Sequence, residues 1–147
     1  MRALIQRVTK ASVDIEGVCL NSINQGLVVF LGIGKKDSVL DIEYLINKIL
    51  KLRIFGDDKN KMNCSLQDFN LDILVISQFT LYANCSKGNR PSFQDSAKPQ
   101  LAEKLYNLFI NHLKKRKINV KTGKFGANMD IQLINQGPVT IMLDSKL

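Results

Sequence analysis

Apolar and polar positions alternate from the start of the chain: Ala3, Ile5, Val8, Ala11, Val13 and Ile15 are apolar, with Gln6, Arg7, Thr9, Lys10, Ser12 and Asp14 between them. A period near two predicts one long strand. The slip in alternation at Arg7–Val8 predicts a bulge within it. Glu16-Gly17 then predicts a turn and Val18–Ile23 a second strand. The run Leu27–Ile33 predicts a third, buried strand. Read together, the opening third is an antiparallel meander. The period then changes: Val39, Ile42, Leu45, Ile46, Ile49 and Leu50 recur at helical spacing to about Leu52, with Asp37 or Ser38 placed to cap the free N–H groups.

The element that organises the rest is Leu71–Tyr82. Its run Ile73-Leu74-Val75-Ile76 is too short for a helix core and rich in β-branched residues, which predicts a strand buried on both faces. Its end turns polar at Ser77, Gln78 and Thr80, with Phe79 and Tyr82 interleaved. Such groups either cap an ordinary turn or stand on rigid backbone where binding pockets are built. Before this run, Arg53–Phe55 predicts a short strand, and Lys61–Ser65 a loop or short strand, around the turn-rich Gly56–Asn60. After it, Ala83–Gln94 predicts a loop carrying Lys87 and Arg90, with Phe93 as its anchor.

A second helix begins near Ser96–Lys98, with Pro99 in the first turn, where a missing N–H costs nothing. Leu101, Leu105, Leu108, Phe109 and Leu113 form its predicted core stripe. The last third predicts a strand at Asn119–Thr122, a glycine-bearing connection at Gly123–Met129, and strands at Asp130–Asn135 and Val139–Leu143. Between these last two, Asn135-Gln136-Gly137-Pro138 predicts either a plain hairpin turn or the one context in which a cis peptide is cheap. The expected fold is mixed α/β. Residues 1–147 form a single domain of largely antiparallel sheets, barrel-like or a sandwich, with two packed helices.

Composition narrows the chemistry. A length of 147 residues with 45% hydrophobic and 23% charged side chains is ordinary for a globular domain. No apolar run approaches the roughly 20 residues that span a bilayer. The N-terminus has no continuous apolar stretch of signal-peptide type, so the expected location is cytoplasmic, with no membrane partner. A net charge of +8 favours contact with a polyanion. Lys114-Lys115-Arg116-Lys117 is either a solvated helix C-terminus, favourable to the helix dipole, or a phosphate-binding patch joined by Lys121 and Lys124. Cys19, Cys64 and Cys85 are odd in number and form no C-x-x-C pair, which argues against a disulfide framework or a zinc site. His112 is the only histidine; it excludes multi-histidine metal sites, and its place beside the second helix's stripe predicts a helix-border residue. No metal and no cofactor is expected.

With the whole chain read, it resembles the D-aminoacyl-tRNA deacylase family of the D-tyrosyl-tRNA deacylase type. The segments IQRVTKASV, GLVVFLGI, LRIFGDDKNKMN, SQFTLYA, GNRPSF, GKFGANM and NQGPVT carry the likeness over the full length. Two departures are Gln136, where the family commonly has Asp, and Asn60, where it commonly has Gly. The resemblance implies hydrolysis of the ester between a D-amino acid and the terminal adenosine of tRNA, with glycine as a further substrate. It also implies a homodimer with active sites at the interface, a cis Gly137–Pro138 pair from one subunit entering the other's pocket. By the same likeness, Ser77, Gln78, Phe79 and Thr80 form the pocket floor. Phe125 and Met129 lie near the terminal adenosine, and Arg7 helps hold the Gly-Pro loop. Enantiomers are best separated by a clash, and the carbonyls of a locked Gly–Pro turn have no rotamers to yield. Thr80 has the hydroxyl of a nucleophile but no base except His112 on a distant helix. Backbone N–H groups near Phe79 and Thr80, with the substrate's 2′-hydroxyl, supply the alternative chemistry. A basic RNA-binding module without catalysis is the competing reading; it leaves SQFTLY and Gly-Pro unexplained.

Overall fold

The computed structural model describes residues 1–146. Its axis is strand β1 (Arg2–Ile15), flanked along one edge by β8 (Asp130–Asp144). The other edge of β1 pairs with β2 (Val18–Ile23) and then β3 (Gly26–Gly32). The predicted meander is therefore corrected. Partners run on in one register, Ala11 with Ile23 and Val8 with Gly26, so β2 and β3 are two arms of one long antiparallel strand broken at Asn24-Gln25. The break frees β3 to pair in parallel with β6 (Asp72–Ser77), which pairs in parallel with β7 (Val120–Thr122). The Asn21 side chain donates 2.7 Å to the Thr122 carbonyl, linking β2 to β7 and bringing the sheet close to a closed barrel.

The predicted bulge in β1 exists: its register against β8 shifts on both sides of Val8. Before it, Ala3 and Ile5 face a core shared with the helices. After it, Val8, Ala11 and Val13 face a smaller core with Ile23, Val28, Leu74 and Ile76 inside the curled sheet. A shifted register is the economical way to move a strand's apolar side from one core to another.

Helix α1 (Val39–Lys51) buries Ile42, Leu45, Ile46 and Ile49 in the larger core. Its first turn is tied by Asp41, whose carboxylate accepts the Ser38 N–H at 2.7 Å and the Ser38 hydroxyl at 3.0 Å. Helix α2 (Pro99–Lys115) buries Leu105, Tyr106, Phe109, Ile110 and Leu113. Leu101, predicted for this stripe, is 37% exposed, because the first turn overhangs a cavity rather than the core. The predicted strand at Arg53–Phe55 is reduced to β4 (Phe55–Gly56), paired with β5 (Met62–Cys64). Among the described residues, no helix is long and apolar enough to cross a membrane.

The closing third also departs from a hairpin. β8 runs through the Gly-Pro segment and pairs with β1 on both sides of it, Asn135 facing Val8 and Thr140 facing Gln6. Residues 136–139 bulge out opposite Arg7 alone, and the Gly137–Pro138 peptide bond is cis.

Candidate active site

The site begins where β6 ends. Ile73–Ile76 are fully buried, as an apolar run between two strands requires, and Ser77 is the last residue of the ladder, paired with Leu31. Gln78 keeps one more bond, its N–H donating 2.9 Å to the Leu31 carbonyl. The chain then leaves the sheet: Phe79–Tyr82 is a turn of 3-10 helix, in keeping with the strand ending where the sequence turns polar. Gly32 makes room for this crossing, since a Cβ there would stand 3.0 Å from the Gln78 carbonyl and 3.1 Å from the Leu81 side chain.

A cavity of about 610 Å³ opens above this junction. Ser77, Gln78 and Phe79 line it, together with Phe93, Phe125 and Met129 among others. Phe93 anchors its loop by meeting the Phe79 ring edge-on at 4.9 Å between centroids. Phe125 leans on Tyr106 at 5.9 Å, and the Tyr106 hydroxyl is fixed by a 2.8 Å bond to the Val75 carbonyl. Five of the predicted site residues thus surround one cavity. Pro99 and Ala102 of α2 also line it, and nothing in their chemistry marks them in a sequence.

Thr80 is exposed and is not among the residues lining the cavity, and its hydroxyl accepts a hydrogen bond from the Gln78 side-chain amide. An amide is no base, so this contact orients the hydroxyl without activating it. His112 is placed as expected at a helix border. Its Nδ1 meets Glu43 of α1, which also takes a 2.6 Å bond from Arg116. Arg116, one of the four basic residues ending α2, is thereby spent on holding the helices together.

The remaining predicted residues gather elsewhere. Arg7 donates from Nε to the Gln136 carbonyl at 3.1 Å and from Nη1 to the Ile54 carbonyl. The Asn135 side chain accepts the Val139 N–H at 2.7 Å and donates 2.8 Å to Thr140. These bonds hold Gly137 and Pro138 outward and exposed. Neither they nor Arg7 line the cavity of their own chain: Arg7 pairs with Leu27 at one end of β3, and Ser77 with Leu31 at the other.

The cavity's chemistry is unusual in one respect. Its lining contains no Asp, Glu, His, Lys, Arg, Cys or Tyr, only apolar side chains, two serines, one glutamine and one asparagine. Acid–base catalysis by a lining side chain is thus unprovided for. The donors on offer are backbone ones. The first N–H groups of a helical turn have no partner within it, and those of Phe79 and Thr80 donate to no other described protein group. No cluster of His, Cys, Asp and Glu among the described residues is arranged to hold a metal ion.

The family profile described as D-Tyr-tRNA(Tyr) deacylase matches residues 4–144. The chain belongs to this family. Similar proteins include a D-aminoacyl-tRNA deacylase of Thermosipho melanesiensis, 55% identical over 99% of this chain and 98% of its own. That of Fusobacterium nucleatum is 53% identical over 99% of this chain and 97% of its own. Among solved structures, a c-Myc DNA unwinding element binding protein superposes with a TM-score of 0.92 at 42% identity, covering 98% of both chains. A probable eukaryotic D-amino acid tRNA deacylase gives 0.84 at 18% identity over 97% of both chains, a likeness of fold. Family membership makes this protein a deacylase, an ester hydrolase.

Proposed function

We propose that this deacylase hydrolyses the ester of D-aminoacyl-tRNA, releasing tRNA and the D-amino acid, and that it spares the L-ester. The cavity without ionisable side chains carries the mechanistic part of the reading. An aminoacyl ester is already activated, so a site can work by holding it still and stabilising the oxyanion. Water attacks the carbonyl carbon, the oxyanion settles on the N–H groups of Phe79 and Thr80, and its collapse breaks the ester C–O bond as the water's proton passes by way of the 2′-hydroxyl to the departing ribose oxygen. The 2′-hydroxyl of the terminal adenosine positions the water. Phe125 and Met129 pack against the adenosine.

Chiral selection is assigned to a homodimer in which Gly137-Pro138 of one subunit enters the other's cavity. The loop is exposed, braced by Arg7 and Asn135, and absent from the lining of its own cavity, as such a device requires. Its carbonyls accept the substrate's α-amino group and leave no space where an L side chain would lie. Glycine, with no side chain to clash, is also turned over. tRNA places the work in the cytoplasm, and the excess positive charge assists capture of the RNA.

The competing chemistry makes Thr80 the nucleophile. Its outward position and its bond from Gln78 favour the backbone route. Turnover of D-tyrosyl-tRNA by Thr80→Ala separates them: the account expects a loss within about 10-fold, whereas an essential nucleophile costs roughly 10³-fold or more. A nucleic-acid-binding module would bind the tRNA and hydrolyse neither ester.

A further inference from the structure

The turn that carries the proposed oxyanion donors is joined at its ends by Leu81 N–H donating 3.4 Å to the Gln78 carbonyl and Ala83 N–H donating 3.0 Å to the Thr80 carbonyl. Behind it stands Arg2, the first residue of β1, and Arg2 grips it at two points. Nη1 donates 2.9 Å to the Leu81 carbonyl, and the guanidinium carbon lies 4.6 Å from the centre of the Tyr82 ring. The guanidinium is itself held, Nε donating 2.9 Å to the Asp144 carboxylate at the end of β8. Tyr82 is backed in turn by Asp37, whose carboxylate lies 3.4 Å from the phenol oxygen and accepts the Gly34 N–H at 2.7 Å. Burial, with Asp37 and Asp144 adding to it, pushes the Tyr82 hydroxyl well above its ordinary value, so it stays a neutral donor.

A planar guanidinium can bond in its plane and stack by its face at once, and a lysine cannot. Arg2 therefore fixes both the height of the turn, through Leu81, and its rotation, through Tyr82. None of Arg2, Leu81, Tyr82 and Asp144 lines the cavity.

We propose that Arg2 is a positioning residue for the reaction: it locks the Phe79–Tyr82 turn so that the Phe79 and Thr80 N–H groups converge on the developing oxyanion. The inference rests on the backbone reading of the chemistry given above. Because an oxyanion donor acts on the transition state more than on the bound ester, loosening the turn lowers the chemical rate and leaves substrate affinity nearly intact.

The test compares wild type, Arg2→Lys, Arg2→Met and Asp144→Asn by single-turnover hydrolysis of D-tyrosyl-tRNA. Beside it are run binding of a non-hydrolysable amide analogue of the D-aminoacyl end and a thermal melt. Arg2→Met is expected to slow hydrolysis on the order of 10- to 100-fold, less than the roughly 10²–10³ for outright loss of an oxyanion donor. Its analogue affinity should stay within about 3-fold. Arg2→Lys falls between Arg2→Met and wild type. Asp144→Asn loses the ion pair but not the grip on the turn, so it lowers the melting temperature while the rate per folded molecule stays within about 3-fold. An unchanged rate in folded Arg2→Met overturns the proposal and leaves Arg2 a structural residue. Equal losses of rate and analogue affinity also overturn it, since the cavity as a whole has then collapsed. A wild-type enzyme that hydrolyses no D-ester refutes the parent reading and this inference with it, and is distinguished by failing before any substitution is made.

Discussion

At the scale of single residues, two departures from the family pattern become intelligible. Asn60 stands in the left-handed region with φ of 57°, where glycine is the easy choice and asparagine the next. Gln136 meets Arg7 through its carbonyl, so the side chain can vary while the bond persists. Gln136→Asp is accordingly expected to leave the hydrolysis rate within about 3-fold of wild type. Gly137 has no such freedom. Its φ is +131°, and a Cβ there would lie 2.9 Å from Val139 and 3.0 Å from the Arg7 guanidinium. Gly137→Ala should shift the loop and lower the ratio of D- to L-ester hydrolysis by roughly 10-fold or more, read from the two rates side by side. An unchanged ratio would remove this loop from chiral selection.

At the scale of elements, the α1 start offers a stability test. Burial alone would raise the Asp41 carboxyl, but Lys146 at 2.7 Å, the Ser145 hydroxyl and Ser38 outweigh it and hold the group well below the carboxylate range. A group depressed in the folded state stabilises above its unfolded value and loses that contribution as the pH falls. The ordinary Asp value is 3.8, so wild type should lose stability as the pH drops below about 4. Asp41→Asn should melt lower at neutral pH, by about 1–3 kcal/mol, with a shallower acid limb. Equal acid limbs would assign the loss to other carboxylates. Elements were also where a linear reading served best and failed most instructively. The period of two marked β1, the period of 3.6 marked α1 and α2, and unbroken apolar runs marked β3 and β6, whose opposite faces lie in the two cores. They could not show that β2 and β3 share one edge of β1. That is a matter of long-range register, and both arrangements bury the same side chains. A turn after Ser77 was one of the two readings of that polar end, but its crossing close to Gly32 on a neighbouring strand was not legible, because that contact is made only by the fold.

At the scale of the whole molecule, the five predicted residues that line the pocket lie in two segments, Ser77–Phe79 and Phe125–Met129, that the parallel pairing of β6 and β7 brings together. Their residue types hinted at a site. Arg2 gave no such hint, because its partners Leu81, Tyr82 and Asp144 are remote in sequence and only the fold unites them. The exposed Gly-Pro loop makes the active unit a dimer in this account. Progressive dilution should therefore reduce activity per subunit in parallel with the dimer fraction measured by sedimentation. Constant specific activity in a demonstrably monomeric sample would contradict the shared site.

The account stands most directly on one comparison: single-turnover hydrolysis of D-tyrosyl-tRNA and L-tyrosyl-tRNA by the wild-type protein under identical conditions. It predicts rapid loss of the D-ester and an L-ester rate lower by about 100-fold or more, near the uncatalysed rate. Equal hydrolysis of both esters would contradict chiral selection by the loop, and hydrolysis of neither would contradict the deacylase reading itself.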